Sequence, residues 1–152
     1  MQKTEQMLLR AILDNPEMSI ISVGPDRLIQ SFNRGAEELL GYKAEEVIGK
    51  VSPEIFHDQD EVRERTAQMS RELGMALKTG ADAFVARTML TGAPDVQEWT
   101  YIRKDGTRFR MLLEVSILRD ENGAMQGYVG IAMRVPQWNQ VEERRKTATA
   151  AK

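Results

Sequence analysis

The chain has 152 residues, 41% hydrophobic and 29% charged, which suits one soluble globular domain with its own core rather than a disordered segment. A net charge of −2 at pH 7 excludes bulk attraction to nucleic acid, and no apolar run reaches the roughly 18–20 residues needed to cross a bilayer. Having no cysteine excludes disulfides and thiolate chemistry, and the N-terminus lacks a secretory pattern; the expected location is the cytoplasm, although a fragment of a membrane receptor would read the same way.

From Thr4 to Asp14 the apolar residues Met7, Leu8, Ala11 and Ile12 fall at helical spacing, predicting an amphipathic helix within residues 1–15 that stops at Asn15-Pro16. Met18 to Val23 and Leu28 to Phe32 read as a hairpin around Gly24-Pro25-Asp26. Asn33 is placed to cap a helix that Gly41 closes, and Ala44 to Ile48 makes a second short one before Gly49. Ser52-Pro53 starts a brief segment. Asp58 or Asp60 then caps a longer helix to about Leu77, which Gly74 and Gly80 interrupt or bound, and Ala81 to Leu90 forms another before the turn Gly92-Ala93-Pro94-Asp95. Beyond residue 96 come three strands, Glu98 to Arg103, Arg108 to Leu118 and Gln126 to Val135, with hairpin turns at Lys104-Asp105-Gly106 and Asp120-Glu121-Asn122-Gly123. Two strands, several helices, then three strands predict an α+β fold: a five-stranded antiparallel sheet with helices on one face and a flanking N-terminal helix. The polar stretch from Gln137 to Lys152 reads as a connector or tail, with an outgoing helix beginning at Val141.

Several segments, in this order and spacing, resemble the PAS domain family. They are Phe32-Asn-Arg-Gly-Ala-Glu-Glu-Leu-Leu-Gly-Tyr42, Glu45-Glu-Val-Ile-Gly-Lys50, Ile55-Phe-His-Asp-Gln-Asp60, Arg103-Lys-Asp-Gly-Thr-Arg-Phe109, the turn from Asp120 to Gly123, and Gly127-Tyr-Val-Gly-Ile131. The resemblance spans residues 16–135 and implies a sensory module of the kind attached to histidine kinases, diguanylate cyclases and chemoreceptors. Two departures stand out. Where many members carry an Asp-Ile-Thr-like triplet leading into the signalling helix, this chain has Arg134-Val135-Pro136, and the stretch from about Met69 to Val96 is longer than in compact members.

The resemblance also implies a pocket between helices and inner sheet face. By analogy with light-sensing flavin members, Tyr101, Met111, Leu113 and Ala132 are expected to face inward, with Trp99 and Val115 in phase. Those sensors place amides where this chain has Tyr101, Met111 and Ala132, and they need a cysteine for the FMN adduct, which is therefore excluded. Haem is disfavoured: the one histidine, His57, reads as a residue at a helix start, hydrogen-bonded locally, and the nine methionines read as core filler. Trp99 and Tyr101 read either as ligand contacts or as core aromatics bonded to backbone. An empty pocket or a small apolar ligand suits these walls, with FAD held by stacking as an alternative.

The opposite sheet face carries Ile102, Leu112, Leu118, Val129, Ile131 and Met133, more apolar than a solvated face should be. The helix stripe of Met7, Leu8, Ala11 and Ile12 is expected to cover it, across a homodimer axis or within one chain. No enzyme is expected: a single histidine cannot complete a Ser-His-Asp arrangement, there is no glycine-rich phosphate loop, and Glu37/Glu38, Glu45/Glu46 and Asp58/Asp60 read as capping or solvated pairs. The basic groups Arg103, Lys104, Arg108 and Arg110, and Arg144, Arg145 and Lys146, read as solvated surface rather than a nucleic-acid site. Any output activity, such as a kinase or cyclase of a two-component or related signalling system, would lie elsewhere in a parent protein.

Overall fold

The computed structural model describes residues 2–78 and 81–135; the outgoing helix expected at Val141, the basic group at residues 144–146 and Pro136 lie outside the described residues. In chain order the elements are α1 (Gln2–Leu13), β1 (Met18–Val23), β2 (Ile29–Phe32), α2 (Arg34–Leu40), α3 (Ala44–Val47), a 3-10 turn (Pro53–Phe56), α4 (Gln59–Leu73), α5 (Ala81–Thr91), β3 (Asp95–Ile102), β4 (Arg108–Arg119) and β5 (Met125–Arg134). The strands form one antiparallel sheet in the order β2-β1-β5-β4-β3, so the last strand of the chain sits at the centre, between β1 and β4. This is the α+β architecture expected from the strand and helix order.

Caps define the helices. The Asn33 side chain accepts from Ala36 N to start α2, and the Asp58 carboxylate accepts from Glu61 N at 2.9 Å to start α4. The longer helix was expected to run to about Leu77, but it stops at Leu73 because Gly74 adopts φ 64°, a left-handed cap that points the chain away. β3 starts at Asp95, three residues earlier than expected, because the turn before it is tightened by Thr88 Oγ1 donating to Ala93 O at 2.5 Å, leaving Asp95 free to pair with Val115.

The core lies between the inner sheet face and the helices. Trp99, Phe56, Ile29, Leu40 and Met111 are fully buried there, each worth about 1.5–3 kcal/mol of transfer free energy. β5 crosses β1 so closely at Gly127 (φ 131°) that a Cβ would lie 1.8 Å from Val23 O, which is why that position carries no side chain. No residue of α1 is buried. Its C-terminal end is nonetheless tied to the domain, since Asn33 Nδ2 donates to Leu13 O at 3.0 Å and to Met18 O at 2.8 Å.

Candidate functional site

A small, partly open cavity of about 30 Å3 lies between the sheet and the helical layer. The sheet supplies Ser19, Ile21 and Val23 from β1, Tyr101 from β3, Leu113 and Val115 from β4, and Tyr128 and Gly130 from β5. Pro53, Phe56, His57 and Phe84 close it from the other side. A volume of this size holds a water or two. The walls lack the cysteine an FMN adduct needs and carry no amide at Tyr101, Met111 or Ala132.

His57 is the polar centre of this cavity. It is 3% exposed, and its Nδ1 has no hydrogen-bond partner among the described residues. The expected locally bonded residue at a helix start is thus corrected. Asp58 performs the capping, so His57 stays extended (φ −111°, ψ 150°) and its Cα pairs with Tyr101 in an isolated antiparallel bridge. Residues paired in this way point to the same sheet face, and Tyr101 faces inward, so the imidazole does too. Three aromatic rings surround it: Tyr101 at 4.4 Å, Phe84 at 4.5 Å and Trp99 edge-on at 5.4 Å between ring centres. Burial, helped by the Arg65 charge, lowers its pKa to about 3, so it is neutral at physiological pH. Burial raises the Tyr101 phenol well above its usual range and that of Tyr128 to about 12, so both hydroxyls keep their protons. The site therefore offers one unpartnered imidazole nitrogen, protonated phenols and Ser19 in a mainly apolar box.

All six pocket residues expected from the sequence are buried, but they divide into two groups. Tyr101, Leu113 and Val115 line the cavity, whereas Trp99, Met111 and Ala132 are packed into the core beside it. Sequence reasoning missed Ser19, Ile21 and Val23, although the same two-residue alternation places them on the inner face. It also missed the helical wall, for which sequence offers no comparable register.

The outer face is as apolar as expected. Leu112 and Met133 are exposed, and Ile102, Val129 and Ile131 are partly so. On α1, Met7, Leu8, Ala11 and Ile12 are all exposed, so among the described residues this stripe is not buried against the sheet. The basic hairpin is internally neutralised. Arg108 pairs with Asp58, Lys104 with Glu46 at 2.6 Å, and Arg110 with Glu61 at 2.9 Å and Glu98 at 3.0 Å; Arg103 lies over Phe109. Glu61 also accepts from Thr100 N at 2.6 Å, pinning α4 to the edge of β3. Among the described residues no cluster of three or more acidic or histidine side chains could hold a metal ion, and no helix is long and apolar enough to cross a membrane.

A family model described as a PAS domain matches residues 16–133. No curated protein sequence matches the chain. Among solved structures, a PAS domain of a Colwellia psychrerythraea protein is similar at 22% identity and a TM-score of 0.63, over 86% of this chain and 98% of that one. An RNA-binding light-oxygen-voltage receptor is similar at 19% identity and a TM-score of 0.65, over 97% of this chain and 37% of that one. The light-state LOV domain of the blue-light photoreceptor Aureochrome1 is similar at 22% identity and a TM-score of 0.56, over 92% of this chain and 98% of that one. At these identities the structural likeness speaks to fold alone.

Proposed function

The chain belongs to the PAS family of sensory modules, and we propose that it senses a small, largely apolar ligand carrying one hydrogen-bonding group that meets His57. The observation that carries this reading is the buried, unpartnered His57 Nδ1 on the cavity wall. A buried polar atom without a partner costs about 1–3 kcal/mol, and a ligand that bonds to it recovers that free energy. The cavity is too small for anything beyond a water or two, so a larger ligand enters only by moving its walls. The sheet is held by its ladders and His57 by its bridge to Tyr101, which makes the side bearing Phe84 of α5 the wall that yields. Binding and conformational change are then one event, a population shift between closed and opened arrangements.

The relay we propose runs through a homodimer. Each α1 lays Met7, Leu8, Ala11 and Ile12 on an outer face made of Ile102, Leu112, Val129, Ile131 and Met133, and an output domain in a parent protein, a kinase or cyclase among the candidates, reads the rearrangement. The exposed stripe of α1 equally supports a second reading, a ligand-free dimerisation module. No catalytic role and no membrane insertion are proposed, and a cytoplasmic setting fits this reading.

Native mass spectrometry with an absorption spectrum of the purified protein tests the ligand. An added small mass without visible colour, lost in His57→Phe, is the expected result. A flavin or haem band would overturn the apolar-ligand reading, and a bare chain would favour the dimerisation module. Light scattering on a Leu8→Asp, Ile12→Asp variant tests the relay: the oligomer should fall to monomer, and an unchanged mass would refute it.

A further inference from the structure

A second, polar groove lies where α4, α5 and β3 meet, and the sensory reading leaves it unused. It measures about 310 Å3 and is lined by Arg65, Gln68, Met69 and Glu72 of α4, Arg87 of α5 and Gln97 of β3. Glu72 is already engaged: one oxygen accepts from Gln68 Nε2 at 3.1 Å and the other pairs with Arg87. Arg65 has no ion-pair partner among the described residues. Its Nη1 donates to the neutral Gln97 amide at 3.1 Å, and its guanidinium lies 4.3 Å from the centre of the Trp99 ring. The nearby carboxylates Glu61 and Glu98 are both committed to Arg110. Arg87 adds a buried Nε–H with no partner. Among the residues lining the groove two are guanidiniums and one is a carboxylate, with Glu61 and Glu98 acting on Arg65 from beside it, and Arg65 keeps unused planar N–H donors facing no carboxylate partner.

We propose that this groove binds a small organic carboxylate between Arg65 and Arg87. Guanidinium forks match carboxylate oxygens in a planar, two-point geometry, Gln68 and Gln97 supply amides at the rim, and Met69 offers an apolar side for a short carbon chain. This lining suits a monoanion, whereas a phosphate near −2 would crowd Glu72. The site is separate from the interior cavity, but the Trp99 ring beneath Arg65 also meets His57 edge-on, so occupancy in the groove reaches the wall of the cavity. The inference stands whether or not the cavity takes a ligand.

The test is a titration of the full chain with butyrate, inorganic phosphate and chloride at constant ionic strength. It is followed by 1H–15N NMR at the Trp99 indole and the arginine Nε–H groups. Saturable butyrate shifts at Arg65, Arg87 and Trp99 are expected, with affinity falling about 10- to 100-fold in Arg65→Gln and in Arg87→Gln. Circular dichroism confirms that each variant is folded, and Arg87→Gln, which removes no contact with Trp99, decides the matter if Arg65→Gln does not fold. The proposal is overturned if butyrate shows no saturation, if folded Arg87→Gln binds it as the wild type does, or if phosphate or chloride binds the same residues more tightly.

Discussion

Asn33 holds three elements together, and replacing it with alanine should be among the most damaging changes to a side chain that touches no cavity. Its Oδ1 accepts from Ala36 N at 2.9 Å and from Ile20 N at 2.8 Å, while its Nδ2 donates to the carbonyls of Leu13 and Met18. Loss of the helix cap costs about 1 kcal/mol. The buried Ile20 N–H loses its side-chain acceptor at about 1–3 kcal/mol, and the two carbonyls lose a donor at about 0.5–1.5 kcal/mol each. After local relaxation about 3–4 kcal/mol remains, which for a domain of this size lowers Tm by roughly 6–15 °C. Asn33→Asp separates the roles: the acceptor that serves α2 and Ile20 survives, but an oxygen replaces the donor facing Leu13 and Met18, so α1 should detach while α2 stays capped. Urea denaturation gives the stability and hydrogen exchange over residues 13–18 gives the attachment. A loss below about 1 kcal/mol in Asn33→Ala, well under the cost of a cap plus one orphaned donor, would refute the reasoning. So would unchanged exchange in Asn33→Asp.

Two further outcomes follow from the same geometry. The folded-state pKa of His57, about 3, lies below its unfolded value near 6.5, so the unfolded chain binds the extra proton between those values. The stability is therefore complete above about pH 6.5 and is lost as pH falls towards 3, at up to about 1.4 kcal/mol per pH unit; urea denaturation between pH 4.5 and 7 should show a slope one proton smaller in His57→Phe, and equal slopes would place the imidazole in solvent. Gly127→Ala should prevent folding or cost more than about 4 kcal/mol, because both the φ of 131° and the Val23 carbonyl oppose a Cβ; a soluble variant melting within a few degrees of wild type would show that the strands can separate there.

Much of this architecture was legible in the residues. Asn33 as a cap, the hairpin turns at Lys104-Asp105-Gly106 and Asp120 to Gly123, and the common phase of Leu113 and Val115 along one strand are local features, whereas their inward direction was implied by the family resemblance. Capping, positive φ and two-residue alternation act over a few residues, so a linear string records them. The errors came where a local rule met a competing one: Gly74 ended α4 four residues early, and Asp95 joined the ladder instead of the turn.

His57 belongs to the other category. Its sequence neighbours describe a polar residue at a helix start, and the bridge to Tyr101, 44 positions along the chain, turns it into the buried centre of a cavity. The division among the six inward residues is likewise tertiary, because which of them meets empty space depends on where Phe84 and Phe56 come to rest against the sheet. The groove of Arg65 and Arg87 exists only because α5 packs beside α4. The amino-acid sequence by itself determined the order of strands and helices and the exclusion of cysteine photochemistry, since these rest on composition and on spacing along one strand or helix, while the choice of inner sheet face came from the family resemblance. Tertiary structure alone decided which polar atoms were left without partners, because that depends on contacts between residues far apart in the chain.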